Sequence, residues 1–493
     1  MNGKTNKILK ASFILLCVSW YSRLLSAVSI IVLARNLTRD DFGILAGCFI
    51  VQGFFNVLSN VGSGQYLIRK SSISEHDINA AWTINFLSRV LVALLIYLLS
   101  EPAAQYMQIP EMGLVLKVMS LSAVFIGLQN PAINLKIKQL DYSKLSVLEI
   151  VTKSISSTAS VVIAMMFHTY WAVVIAGLLY NSLYALGSQF IVRQKLKFVI
   201  DNINVQWQFS KWIILKGVIN YIKVAFDKVI VGKFYSVSEL GLYNFANEAS
   251  ATALQFVITP INKVLYPSLS DYVDDNQRLL DKVYKSIVVL SCIYIPVVFG
   301  GVYLANIIVP SVFGEQWRDA TPLFQAFLVM TFSRMIVGVL TDVFTLSGEV
   351  KKQFFYEALT SVLFLLIILA VSSANLYDFA VYRTLVAYLM LAALFVALNR
   401  IISISMLKTA RLVVPFIVGS LVMLVVVYGM QLVFITAVPL LNLLVYILVG
   451  ALAYGGTTML FVFYLKRISQ EYDFLYKTFI RPSVNILKRR LLP

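Results

Sequence analysis

"KGVINYIKVAFDKVIVGKFY", residues 216–235, decides the fold class, because it sets charge inside an otherwise apolar segment. It overlaps a stretch, 209–232, long and apolar enough to cross a bilayer, yet Lys216, Lys223, Asp227 and Lys228 lie in its interior. A spanning helix needs roughly 20 mostly apolar residues. An ionised side chain near its centre costs at least ~2.5–3.5 kcal/mol, so each one needs a reason. Helical geometry supplies part of it. At about 100° per residue, Lys216, Asn220, Lys223 and Asp227 fall within an arc of about 60°. They rise about 16 Å along the axis, roughly half the hydrocarbon core. Lys228 points well away from that stripe.

The rest of the chain identifies the medium. Of 493 residues, 59% are hydrophobic and only 13% charged, with a mean hydropathy of +0.81. A soluble chain keeps about a quarter of its residues charged. About fourteen apolar windows recur, from 11–36 to 438–465 and including 112–132 and 240–266, which predicts an all-α polytopic membrane protein. Segments 101–111, with Pro102 and Pro110, and 310–322, with Pro310 and Pro322, read as loops. The opening "MNGKTNKILKASFILLCVSW" has a basic start, and its apolar run continues to about Ala34, so it reads as an uncleaved first span. Cys17, Cys48 and Cys292 sit in apolar stretches without metal spacing and read as structural.

The net charge of +17 follows from orientation. With the N-terminus placed in the cytoplasm, most of the 41 lysines and arginines fall in cytoplasmic segments. Only Arg35, Arg39, Lys233 and Arg318 fall on the opposite side. This positive-inside bias puts both termini in the cytoplasm and removes any need for a nucleic-acid partner. An internal repeat fits the layout. "ARNLTRDDFG" at 34–43 aligns without a gap to "GKFYSVSELG" at 232–241, six spans later, so both copies point the same way. The expected division is an N-lobe at 1–192, a basic cytoplasmic linker at 193–208 and a C-lobe at 209–400. Two further helices follow within 401–466, then a basic tail at 467–493.

Nine basic residues lie within the expected spans: Arg23, Arg89, Lys117, Lys153, Lys216, Lys223, Lys228, Arg334 and Arg383. Glu149, Asp227, Glu248, Asp342 and Glu357 join them. Long basic side chains near span ends can snorkel to the interface, which suits Lys117, Lys153, Lys216, Lys228 and Arg383. Polar stripes on several helices instead suit a shared hydrated cavity. Ser19, Ser22, Arg23, Ser26 and Ser29 share one side of the first span, Gln52, Asn56, Ser59 and Ser63 one side of the second, and Glu149, Lys153, Ser156 and Ser160 one side of the fifth. Thr331, Arg334, Asp342 and Thr345 cluster similarly. Four N-lobe cations against one acid favour an anionic cargo. Asp227, Glu248, Asp342 and Glu357 are candidates for a coupling proton or Na⁺, with neutralisation of nearby cations as the alternative. His76 and His168 are too few and too separated for a metal or a catalytic triad.

Three stretches resemble a known family: "VSIIVLARNLTRDDFGILA" at 28–46, "FDKVIVGKFYSVSELGLYNFANEASATALQFVITPINKVLYPSLSD" at 226–271, and "VFGEQWRDATPLFQAFLV" at 312–329. They are similar to the Wzx-type polysaccharide flippases of the MATE-like exporter superfamily, and most to the colanic-acid exporter type. The resemblance implies two six-helix lobes in a V, two extra C-terminal helices, and alternating access in the bacterial inner membrane. The implied cargo is an undecaprenyl-pyrophosphate-linked oligosaccharide, its pyrophosphate met by basic lumen residues. It also implies handover to a polymerase and chain-length machinery, with the flippase as a monomer needing no cofactor beyond a coupling ion. An important arginine of related peptidoglycan-precursor flippases falls in the first span, as Arg23 does, although the local motif differs.

Two other classes compete. A membrane glycan polymerase needs a sizeable periplasmic loop, and the expected loops reach only about a dozen residues, in line with the short connections of helical bundles. "DYVDD" at 271–275 reads as charge ahead of a helix rather than a metal motif. A multidrug exporter of organic cations is disfavoured by the basic N-lobe.

Overall fold

The computed structural model describes residues 2–69, 73–139, 141–192, 194, 196–199, 203–252, 275–346 and 349–481. The chain divides into two compact units, Met1–Asn244 and Phe245–Pro493. Eleven of the described helices are long and apolar enough to cross a bilayer. Several expectations touch residues outside the described ones: 253–266 of the span 240–266, the acids of 271–274, parts of the linker 193–208, the Thr345 side chain and tail residues 482–493.

Unit 1 contains α1 (Asn2–Asn36), α2 (Arg39–Leu58), α3 (Ser63–Arg69), α4 (Glu75–Met107), α5 (Glu111–Gly127), α6 (Ile133–Lys138), α7 (Ser143–Phe167), α8 (Trp171–Ile191) and α9 (Ile203–Phe234). The next helix, α10, is described over 237–252 and starts in this unit. The segment 101–111, expected as a loop, is helical over most of its length. Pro102 lies inside α4, which continues to Met107 and closes on Gln108 with φ 58°. Apolar surroundings offer no water for freed backbone groups, so a helix carrying an internal proline is retained rather than opened. The stub at 196–199 is stitched to α4. Lys197 N donates to Asn79 Oδ1 at 3.2 Å and Val199 N to Thr83 Oγ1 at 3.0 Å. Phe198 packs on Trp82 and Phe86 beside them.

Unit 2 contains α11 (Asn276–Tyr303), α12 (Ala305–Ile308), α13 (Thr321–Leu346), α14 (Val350–Ala370), α15 (Leu376–Ile402), α16 (Met406–Val433), α17 (Pro439–Leu465) and the short α18 (Gln470–Leu475). Between α12 and α13 the expected loop is instead a wide helical turn at Val309–Phe313 and a tight one at Glu315–Ala320. Trp317 explains the compaction. It is fully buried and stacks on Phe245 with centroids 3.9 Å apart. Neighbouring helices are tied by hydroxyls donating to backbone carbonyls. Tyr388 reaches Val329 O at 2.8 Å, Tyr356 reaches Met390 O at 2.8 Å, and Tyr454 reaches Cys292 O at 2.6 Å.

The sequence repeat is also a contact. Thr38 caps α2, accepting from Asp41 N at 3.2 Å while its own N–H donates to Asp41 Oδ2 at 2.8 Å. Ser236 and Glu239 repeat that capping box at the start of α10, at 3.2 and 2.9 Å. The two turns meet. A Cβ on Gly43 would run into the Val237 carbonyl, and one on Gly241 into the Arg39 carbonyl. Arg39 and Val237 are equivalent repeat positions, as are Gly43 and Gly241, so the contact is reciprocal in the manner of a two-fold interface. Two helix N-termini that approach this closely present like dipole ends. Asp40, Asp41 and Glu239 in or beside their first turns offset that charge.

Gly43→Ala and Gly241→Ala each place a methyl against backbone that cannot swing aside. Each is expected to destabilise the protein by about 1–3 kcal/mol, read as a lower thermal unfolding midpoint. Gly177→Ala in α8, where a Cβ meets nothing within 4 Å, is the control and leaves the midpoint unchanged or raised.

Candidate functional site

The first group of candidates is positioned by the pairing of α1 with α7. Tyr21 Oη and Ser154 Oγ lie 2.7 Å apart, and His168 Nδ1 lies 3.3 Å from Asn36 O. The sequence separations of these contacts are 133 and 132, so the two helices run parallel without slipping. Arg23 and Lys153 then differ in axial level by only about 4.5 Å. Arg23 is half-buried and engaged by a neighbouring group. Lys153 is half-buried, and its ammonium has no partner among the described residues. Glu149, one turn earlier on α7, accepts from Tyr180 Oη of α8 at 3.0 Å. Tyr180 was silent in the sequence, since a tyrosine in an apolar helix is ordinarily a packing residue.

Arg89 and Asn56, expected separately, are brought together. Arg89 Nη1 on α4 donates to Asn56 Oδ1 on α2 at 2.9 Å. Arg89 Nε is buried without a partner, and no carboxylate meets this guanidinium among the described residues. Gln52, one turn before Asn56, donates from Nε2 to Met119 O at 3.5 Å. Lys117 differs. Its ammonium pairs with Glu101 at 2.6 Å, at the partly exposed junction of α4 and α5. Glu101 lies in the proline-marked segment 101–111, so helical periodicity does not pair it with Lys117.

The α9 stripe is graded. Lys216 and Asn220 are exposed, Lys223 is half-buried and engaged, and Asp227 is 4% exposed. Asp227 accepts from Tyr243 Oη on α10 at 2.9 Å and from Lys228 N at 2.9 Å. Lys228, off the stripe, donates to Asn244 Oδ1 at 2.8 Å. The Lys216 ammonium has no partner among the described residues.

In unit 2 the candidates sit in different settings. Arg334 and Glu248 are exposed and engaged. Glu357 accepts from Gln353 Nε2 at 2.9 Å on its own helix. Asp342 is half-buried with no partner among the described residues. Arg383 is buried, with its guanidinium 4.5 Å above the Phe364 ring. Apolar cavities lie elsewhere: one of 560 Å³ in unit 2, bordered by Phe299, Phe332 and Tyr388, and one of 440 Å³ in unit 1, bordered by Phe54, Tyr106 and Phe226. Neither is lined by a candidate cation.

Comparison with known proteins places this arrangement. Over 349 residues the chain is 25% identical to the lipopolysaccharide biosynthesis protein WzxC of Escherichia coli K12, covering 69% of this chain and 70% of that protein. It is 24% identical to the succinoglycan biosynthesis transport protein ExoT of Rhizobium meliloti, over 61% of each. Among solved structures, the lipid II flippase MurJ in an inward closed conformation superposes with a TM-score of 0.75. That match has 15% identity and covers 92% of this chain and 99% of MurJ. A multidrug-resistance MATE transporter of the MOP superfamily follows at a TM-score of 0.61, with 12% identity, covering 79% of this chain and 95% of that one. These two likenesses establish a shared helical fold. A family model described as "Polysaccharide biosynthesis protein" matches residues 32–322. The chain is a multi-pass membrane protein that belongs to the polysaccharide biosynthesis protein family.

Proposed function

We propose that this protein moves an undecaprenyl-pyrophosphate-linked oligosaccharide from the cytoplasmic to the periplasmic leaflet of a bacterial inner membrane by alternating access. Both termini are cytoplasmic, and the protein works as a monomeric transporter rather than an enzyme. It takes no cofactor beyond a coupling H⁺ or Na⁺, and it passes its cargo to a polymerase and its chain-length machinery. The observation that carries this reading is a pair of half-buried candidate cations in unit 1 that meet no carboxylate among the described residues, Arg89 and Lys153. A cation held among apolar helices is costly until an anion joins it. A pyrophosphate supplies that anion from the cargo, and a guanidinium fork such as that of Arg89 matches its oxygens. The relatives named for lipopolysaccharide and succinoglycan biosynthesis support a glycan as the remainder. The MATE-like fold also suits a drug exporter, but these cations would repel a cationic drug.

Arg89→Ala and Lys153→Ala are expected to abolish surface polysaccharide while the protein still inserts. Lipid-linked repeat units then accumulate in the cytoplasmic leaflet, measured by leaflet-selective labelling. Lys117→Ala, which breaks a partly exposed pair, stays near wild-type. Normal export from both cation variants would refute the cationic path.

Coupling is assigned to Asp342, because a half-buried carboxylate without a partner has an open site for a proton or Na⁺. Asp227 and Glu357 already accept hydrogen bonds. In proteoliposomes given a lipid-linked oligosaccharide, Asp342→Asn should remove the response to an imposed proton or sodium gradient. A variant that still follows both gradients would exclude Asp342.

A further inference from the structure

One end of unit 2 carries both paired charges and unpaired arginines. There α15 closes at Ile402, α16 opens at Met406, and α17 closes at Leu465 just before α18. Of the carboxylates at this end, Asp275 pairs with Arg278 at 3.1 Å, and three others are taken by lysines. Glu471 is 4% exposed and pairs with Lys408 at 2.8 Å, while Ser469 Oγ donates to it at 2.5 Å. Burial pushes the Glu471 carboxyl up, but those donors outweigh it and hold the group below the ordinary carboxylate range. Asp473 pairs with Lys477 at 2.7 Å, and Asp281 of α11 pairs with Lys285 at 2.5 Å. Four arginines are left over. Arg400, Arg411, Arg467 and Arg481 are all exposed, and none has a hydrogen bond or ion pair among the described residues.

The neighbours of these arginines are apolar and exposed: Met406 at 53%, Leu407 at 62%, Tyr464 at 71% and Ile468 at 71%. Lys466 is clasped between the rings of Phe463 and Tyr476, at 3.8 and 3.7 Å. Free guanidinium groups among exposed apolar and aromatic side chains, at the ends of spanning helices, match the depth of lipid headgroups. A soluble acidic partner would leave those apolar groups in water. The sequence beyond Arg481 adds Lys488, Arg489 and Arg490 and no acid.

We propose that this face is a binding surface for anionic phospholipid headgroups. Arg400, Arg411, Arg467 and Arg481 are its phosphate ligands, and the exposed apolar side chains sit among the upper acyl carbons. The Lys408–Glu471 pair ties α18 to the start of α16, and the four arginines are exposed. This surface is independent of the cargo path in unit 1.

The test uses the full chain purified in neutral detergent and titrated with phosphatidylglycerol or phosphatidylcholine, reading bound lipid by native mass spectrometry and the thermal unfolding midpoint. Phosphatidylglycerol should bind and raise the midpoint while phosphatidylcholine does not, and salt should weaken the effect. Each of Arg411→Gln, Arg467→Gln and Arg481→Gln should weaken phosphatidylglycerol binding about fivefold. Lys477→Gln, which removes a paired charge, should leave it unchanged. Equal binding of the two lipids, or arginine variants that bind phosphatidylglycerol as the wild type does, would overturn the proposal. So would inorganic pyrophosphate that reproduces the midpoint rise and displaces the lipid, since the surface would then be a phosphate site of another kind.

Discussion

Hydrocarbon cannot solvate a hydrogen-bonding group, and the rest of this structure follows from that constraint. Backbone polar groups close on themselves as helices, including through Pro102 in α4. Side-chain hydroxyls then find carbonyls on neighbouring helices. Tyr221 donates to Ile50 O, Tyr388 to Val329 O and Tyr454 to Cys292 O. These bonds orient helices whose apolar surfaces alone do not specify a rotation, because lipid and leucine are equivalent surroundings.

The glycine clasp between the two repeat turns obeys the same logic at shorter range. Backbone approaches backbone closely only where no Cβ intervenes, and each turn offers one glycine to the other. The capping boxes at Thr38 and Ser236 satisfy the helix starts locally, so the turns can meet without orphaned donors. Reciprocity makes the contact specific. A slip of one residue would replace a glycine by Phe42 or Leu240.

Charge within the helices meets three fates. Lys117 is paired at a partly exposed junction with Glu101. Asp227 and Arg383 are satisfied where they are buried, by Tyr243 and by the Phe364 ring. Arg89, Lys153, Lys216 and Asp342 are left without an opposite charge among the described residues. The first two fates stabilise the fold. The third leaves charge available to something that is not the chain itself, which is the physical basis of the transport reading.

Much of this was legible in the sequence. Apolar windows and their spacing determined an all-helical membrane protein, because the length of a span is set by the bilayer. The match between 34–43 and 232–241 determined the repeat, because caps and glycines have fixed offsets. The rotation of α9 put Lys216 and Asp227 on one stripe, because helical periodicity is local. Only the tertiary structure decided what each polar group faces. It joined Arg89 to Asn56 across 33 positions of sequence, gave Asp227 to Tyr243, and removed Lys117 from the unpaired set through Glu101. It also closed the proline-marked segments at 101–111 and 310–322 into helical turns. Periodicity says which way a residue points along its own helix. Whether an opposite charge waits there depends on the neighbouring helix, and no local pattern carries that information.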